Sequence, residues 1–491
     1  MGLGRMLEES STRYAKNIAT IYDGSALIYE DINRAVNALG NELKRLGVKK
    51  GDKVSIMLSN CPEFVISYFA ILKLGAVAVT LNILSTPYEL RYILENSDTK
   101  CLITETLLSK KFDEIRNDLP LCRHLIATSG LDNDSSPFRQ ILERGPFTLD
   151  MPEIADDDPA VMIYTSGLTG RPLGAVLTHH NLLTQSTLVR DIYHTTEKDR
   201  SLAVIPLFHA FGAVVNMLGA LRIGAGVVLM DRFTIDSIFS AIERERVTYI
   251  AAVPRLFLGM IMHKESEKSE KSDISSLSFC ITGGSAMPPE FISLFEEKFN
   301  VILREGYGLT EASPVCSVGR REMVHKAGSI GTVVPGTEAR VIDEHDCDVP
   351  TGEIGELVIK GDNVMKGYYK DQAATDRVIK NGWLHTSDLA KIDEDGYIFL
   401  TGRKKRMIIT SGFNVYPREV EQILAMHPAV QNSMVIGNPD LMRGEIVKAF
   451  VVRKPDIQTS EKEIMRHCRI YLSSYKVPRK VEFVESLPSA V

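Results

Sequence analysis

The segment Val161 to Leu177, VMIYTSGLTGRPLGAVL, gathers the residue types that could do chemistry with an anion. A β-branched run leads into Thr165, Ser166, Gly167, Thr169, Gly170 and Gly174, and an apolar strand follows. Closely spaced glycines let backbone N–H groups converge on a negative charge, and neighbouring hydroxyls add donors to phosphate oxygens. The spacing is neither G-x-x-x-x-G-K-[ST] nor G-x-G-x-x-G, which excludes a Walker loop and a dinucleotide fingerprint. Taken alone, the turn is open to two readings, an ordinary loop or a phosphate cradle. Another candidate is His209 in PLFHAFG, after a buried strand. His209 lies in an apolar setting, where a hydrogen-bonded core histidine and a site residue look alike. No second His or Cys stands at ligand spacing, and there is no G-x-S-x-G elbow for a protein nucleophile.

The elements that must position these residues belong to an ordinary globular chain. Of 491 residues, 44% are apolar and 24% charged, with 57 Lys plus Arg against 63 Asp plus Glu, a net charge of −6. That composition excludes a disordered or fibrous chain, and the mildly acidic total argues against a nucleic-acid partner. The seven cysteines are widely spaced, with no C-x-x-C pair, so reduced thiols in the cytoplasm are expected rather than disulfides or structural zinc. Met1 to Asn17 has no apolar core of a secretion signal, and Phe64 to Leu84, interrupted by Lys73 and Asn82, reads as a buried helix followed by a buried strand.

Helix and strand patterns alternate along the body. Ile32, Val36, Leu39, Leu43 and Leu46 form one helical stripe, KVSIML reads as a strand, and PEFVISYFAILKLG reads as the next helix. SLAVIP, AGVVLM and TYIAAV repeat the strand signal, which predicts parallel sheets covered by helices. Residues 129–160 and Lys264 to Ser276 are expected to be exposed polar connections. From about residue 330 the texture changes to short strands and turns, an antiparallel appendage on an α/β body. A small α+β unit is then expected at 407–491, after a basic junction at 403–406 that ends the large domain at residue 402.

Six motifs in fixed order carry a family resemblance: YTSGLTGRPLG at 164–174, PLFHAFG at 206–212, ITGGSAMP at 281–288, GYGLTEAS at 306–313, GWLHTSD at 382–388, and TGRKKRMIITSGFNVYPREVE at 401–421. The chain resembles the adenylate-forming (AMP-binding) superfamily over nearly its whole length, and within it fatty acyl-CoA ligases. The resemblance implies the following roles. Glu311 would serve Mg²⁺, and Thr310, with Thr165, Ser166, Gly167, Thr169, Gly170 and Gly174, would lie at the ATP phosphates. Tyr307 would stack on adenine, with the Gly283, Gly284, Ser285 turn bordering the base and acyl group. Asp388 would hold the ribose hydroxyls, Arg403 would contact ribose or phosphate, and His209 would line the acyl site. Lys405 would be the hinge about which a mobile C-terminal lid swings between half-reactions. Ser411 and Gly412 would face the active site in the thioester-forming pose.

The implied reaction has two steps, carboxylate attack on the α-phosphorus of ATP, then coenzyme A thiol attack on the acyl-AMP. The expected substrate is a medium or long apolar acid, with Val214, Val215, Met217 and Leu218 either near the acyl pocket or in the core. An aryl or other small acid is the alternative. So is a catalytically impaired nucleotide- or acyl-CoA-binding homologue, because the sequence departs from the family pattern. Leu173 stands where a lysine is usual, with Arg171 nearby, and Leu168 stands for a threonine. Ser387 replaces a glycine. The sequence ends at Val491, ahead of the Gly-Lys expected after Leu487-Pro488, which reads as a missing tail or as impairment. A monomer or homodimer, with peripheral membrane contact open, completes the expectation.

Overall fold

The computed structural model describes residues 2–129, 136–166, 171–263, 272–404, 407–455 and 457–488. The expected polar connections at 130–135 and 264–271, the loop residues Gly167, Leu168, Thr169 and Gly170, the side chain of Ser166, the hinge residue Lys405 and the last three residues lie outside that set.

Two large sheets form the N-terminal body, as the alternating pattern predicts. One has nine strands, in the order Thr332–Val333, Val315–Val318, Ile302–Gly308, Phe279–Thr282, Tyr249–Ala252, Arg200–Ala203, Gly226–Leu229, Ile18–Tyr22 and Ser25–Ile28. From Ile302–Gly308 to Ile18–Tyr22 the neighbours are parallel, and antiparallel strands close both edges. The second sheet, of seven strands, is centred on the parallel strands Pro159–Ser166, Val77–Thr80, Lys53–Met57 and Thr99–Glu105, and Pro172–Thr178 returns antiparallel to Pro159–Ser166.

Helices Tyr29–Arg45 and Pro62–Lys73 pack together against this body. The first buries Ile32, Val36, Leu39 and Leu43 of the predicted stripe, and Leu46, just past its end, is partly buried against the same core. The second is buried on all sides, so Phe64, Phe69 and Ile71 each contribute about 1.5–3 kcal/mol. Lys73 ends it without reaching water. Its ammonium donates to Asn33 Oδ1 at 2.7 Å and Asn37 Oδ1 at 2.8 Å, and burial lowers its pKa to about 8. Among the described residues, no helix is long and apolar enough to cross a membrane.

The antiparallel appendage comprises Thr337–Ile342, Gly355–Gly361, Trp383–Ile392, Ile379–Lys380 and Ile398–Arg403. The last strand continues through Gly402 into Arg403, the first residue of the expected basic junction, where Arg403 still pairs with Asp388 in the ladder. The α+β unit follows, with strands Ile408–Thr410, Phe413–Val415, Val430–Asp440, Gly444–Arg453 and Lys480–Phe483. Helices Pro417–Ala425 and Glu461–Tyr471 bury Val420, Leu424, Ile464 and Cys468 against Val435 and Val447.

Candidate active site

Parallel strands point their carboxyl ends toward one side of a sheet, and loops leaving those ends are the usual place for ligands in open α/β folds. The nine-stranded sheet follows that rule. The 283–289 turn leaves Phe279–Thr282, the motif 309–312 leaves Ile302–Gly308, and His209 follows Arg200–Ala203. With the hairpin 159–178 and the C-terminal unit, these loops enclose a cavity of about 980 Å³.

The wall carries Thr165, His209, Gly283, Gly284, Ser285, Tyr307, Thr310, Glu311, Asp388, Arg403, Ser411 and Gly412. Gly174 is not on it. That residue sits inside its strand, where a Cβ would come within 2.9 Å of Met162 Sδ, so its smallness serves sheet packing. Leu173 does line the cavity, opposite Thr165 in the antiparallel ladder, whereas Arg171 is exposed and is not among the lining residues.

Glu311 lies on a single 3₁₀ turn, Thr310–Ala312, anchored by the N–H of Met365 donating to its carbonyl at 2.8 Å. Its Oε1 accepts from the Thr165 hydroxyl at 3.2 Å and the Tyr368 hydroxyl at 2.8 Å, joining both sheets and the 367–368 strand at one oxygen. Gly308, just ahead, must lack a side chain, since a Cβ there would fall 1.8 Å from the Pro314 carbonyl oxygen. Among the described residues, no group of three or more His, Cys, Asp or Glu is placed to hold a metal ion.

Asp388 forms the second polar centre. It is buried, accepts the Tyr307 hydroxyl on Oδ2 at 2.6 Å, and accepts Arg403 Nε on Oδ1 at 2.7 Å. Burial first, then the Asp388 charge, holds the Tyr307 phenol well above its usual range, so it donates rather than ionises. The preceding Ser387 has φ +64°, a left-handed conformation that costs a non-glycine residue about 1–2 kcal/mol. Its N–H donates to Glu356 Oε1 at 3.0 Å, and Glu356 also pairs with Lys404 at 2.9 Å, which ties the segment down.

His209 is neutral. Burial lowers its pKa to about 4, and its Nδ1 accepts the Phe211 N–H at 3.2 Å, which leaves the ring proton on Nε2. Residues 212–218 form a π-helix that turns only Val215 onto the cavity, while Val214, Met217 and Leu218 go into the core. The apolar wall also comes from Leu188, Val189, Ile192, Tyr193 and Val318. Those on the short helix Leu188–Tyr193 escaped sequence reasoning, because six residues without a polar signature carry no motif.

The C-terminal unit closes the mouth. Gly412, at φ +84°, brings its backbone so near the body that a Cβ would meet Val253 Cγ1 at 2.6 Å, and a Cβ on Gly284 would lie 3.9 Å from Gly412 Cα. The 440–445 segment completes this side of the cavity.

Residues 7–369 match the AMP-binding enzyme family, and residues 419–490 match the AMP-binding enzyme C-terminal domain. The chain is 34% identical to a long-chain-fatty-acid–CoA ligase of Escherichia coli O6:H1, over 99% of this chain and 91% of that protein. Among solved structures it resembles a Mycobacterium tuberculosis fatty acyl CoA synthetase, with 30% identity, a TM-score of 0.76, and coverage of 100% of this chain and 95% of the other. It also resembles the anthranilate CoA ligase AuaEII in complex with anthranoyl-AMP, with 30% identity, a TM-score of 0.77, and coverage of 100% and 94%. The chain belongs to the AMP-binding enzyme family, and is an adenylate-forming ligase of the AMP-forming acyl-CoA synthetase type.

Proposed function

We propose that the protein activates a medium or long apolar carboxylic acid as acyl-AMP and transfers it to coenzyme A. One observation carries this reading. The hydroxyl–carboxylate group Thr165, Thr310, Glu311 and the Tyr307–Asp388–Arg403 group share a cavity with a continuous apolar wall. The long-chain fatty acid specificity named for the Escherichia coli relative supports the acid class.

In this reading Asp388, an acceptor-only carboxylate, takes the ribose hydroxyls of ATP, and Thr165 and Thr310 donate to its phosphates. Glu311 would hold Mg²⁺. A single carboxylate on the cavity suits an ion that draws its other ligands from phosphate oxygens and water, and the bound ion would neutralise phosphate charge. The acid's tail lies against Leu188, Ile192 and Val215, and the neutral His209 offers its Nε2 proton to the carboxylate. Ser411, Gly412 and the 440–445 segment shield the activated acyl group from water in the closed pose, which serves the thiol step. Leu173 on the cavity wall favours one second reading, a homologue that binds nucleotide and adenylates slowly or not at all.

Carboxylate-dependent ATP–pyrophosphate exchange, run from hexanoate to stearate and with benzoate and coumarate, alongside coenzyme A thioester detection, tests the proposal. Exchange and thioester formation rising with aliphatic chain length are expected. A response restricted to aryl acids would replace the acid class, and saturable ATP binding without exchange would establish the impaired homologue.

A further inference from the structure

A second polar cluster lies outside the cavity, between the N-terminal body and the C-terminal unit. Lys476 Nζ sits between Glu89 Oε1 at 2.8 Å and Glu419 Oε1 at 2.7 Å. Ser473 Oγ donates to Glu89 Oε2 at 2.6 Å. Glu89, Glu419 and Lys476 are 6%, 7% and 5% exposed, so all three charged groups are withdrawn from water. Glu89 belongs to helix Pro87–Asn96 of the body, and Glu419 and Lys476 belong to the C-terminal unit. Around them, the Thr86 hydroxyl donates to the Tyr471 carbonyl at 3.0 Å, and Tyr88 meets Tyr471 edge-on at 5.3 Å. Phe413 stacks on Tyr475 at 4.5 Å while packing against the core of the body.

Each half of the cluster keeps a polar partner without the other, although Glu419 Oε2 has none. Glu89 is the N3 residue of a capping box, with the Thr86 N–H donating to its Oε2 at 2.9 Å and its own N–H donating to Thr86 Oγ1 at 3.3 Å. Lys476 keeps Glu419 as a partner within its own unit. When the two bodies part, Glu89 regains water with its cap intact, and Lys476 remains paired. Desolvation largely offsets the Coulomb attraction of a buried ion pair, so such a contact fixes geometry more than it adds strength. A purely apolar seam would hold more tightly and with less dependence on register.

The C-terminal side of the cluster leads directly to the cavity. Glu419 is in the first turn of helix Pro417–Ala425, and Tyr416, just before it, lines the cavity. Strand Phe413–Val415 joins that turn to Ser411 and Gly412.

We propose that Glu89 is a positioning residue. Its carboxylate engages Lys476 to set the lid in the pose that presents Ser411 and Gly412 to the cavity. The inference rests on the reading above that this closed pose serves the thiol step.

The test places a donor–acceptor dye pair on Cys347, the one exposed cysteine of the chain, and on a cysteine introduced at the exposed Ile470. E89Q keeps a residue able to complete the capping box while removing the charge. In E89Q the substrate-free protein is expected to shift from the closed to an open transfer efficiency. Thioester formation from preformed acyl-AMP should fall at least about tenfold, while pyrophosphate exchange stays within about twofold. K476M should show the same split, and E89Q added to it should cost less than E89Q alone, since the two residues share one contact while Glu89 keeps a second to Ser473. Wild-type transfer efficiency and thiol kinetics in folded E89Q would overturn the proposal, as would losses that multiply in the double variant. The dye readout needs no substrate. A wild type that uses no acid therefore refutes the proposed function and leaves the lid contact measurable on its own.

Discussion

The replacement Leu173→Lys puts the largest departure of the site to a quantitative test. Leu173 faces Thr165 directly across the ladder, where paired Cβ atoms are about 4.5–5.5 Å apart. Thr165 Oγ1 is in turn 3.2 Å from Glu311 Oε1, so an ammonium at 173 enters the region assigned to the phosphates. One unit charge pair at about 5 Å, with an effective dielectric constant near 20, is worth about 3 kcal/mol, and water in the open part of the cavity roughly halves that. The gain should exceed this ground-state figure only where charge builds up on the leaving pyrophosphate. An increase of about 10- to 100-fold in the turnover of carboxylate-dependent exchange is therefore expected. Turnover and KM must be separated, with ATP affinity measured by calorimetry, because uniform binding lowers KM without raising kcat. Leu173→Met, equal in bulk and uncharged, is the control and should stay within about twofold. The reasoning fails if L173K folds and binds ATP but exchanges at the parental rate, or if L173M accelerates exchange as much as L173K.

Acid should destabilise the fold through His179, which is fully buried, accepts the Leu3 N–H at 3.2 Å on Nδ1, and is pushed down to about 4 by burial. Its contribution is intact above the unfolded value near 6.5 and is lost as pH falls toward 4, because only the unfolded chain takes up the proton. H179N, with an amide oxygen to accept the same N–H, should flatten denaturant-measured stability between those limits by about 3 kcal/mol, and a slope equal to wild type would exclude the assignment. G412A must adopt φ +84° and meet Val253, so its thioester step should slow. Adding V253A should recover part of the loss, relieving the clash but not the backbone strain, and full activity in G412A alone would contradict the close approach. Of the seven thiols, only that of Cys347 is exposed, so one equivalent of an aromatic disulfide reagent should react rapidly with the native protein and seven in denaturant. Two or more fast thiols would show a looser core.

The legible part of the site is the part built from contiguous chain at strand ends. Gly306 to Glu311 is strand, close turn and 3₁₀ turn in six residues, so one motif fixes the relative positions of Tyr307, Thr310 and Glu311. Asp388 and Arg403 stand 15 residues apart, yet a ladder with one irregularity brings them side by side, and the short strands and turns read from about residue 330 already announced an antiparallel unit. The acyl wall was harder to read. A helical stripe of Val214, Val215, Met217 and Leu218 looks the same whichever neighbour it faces, and only the three-dimensional π-helix turns Val215 alone to the cavity. Gly174 was grouped with the loop glycines by proximity, although its neighbours Tyr164 and Met162 make it a packing glycine. The Glu89–Lys476 contact joins residues 387 apart across two folding units, and no local pattern in a single chain records such a meeting.

Where Gly412 approaches Gly284, neither residue brings a side chain of its own, and the Val253 side chain is the nearest group to both. Neither glycine adds a knob to this seam, so a lid moving as proposed would have only the Val253 side chain to clear there. Even a methyl group at this seam would act as a ratchet tooth. The bareness of those two positions thus bears on how fast the enzyme can cycle as well as on how closely it can shut.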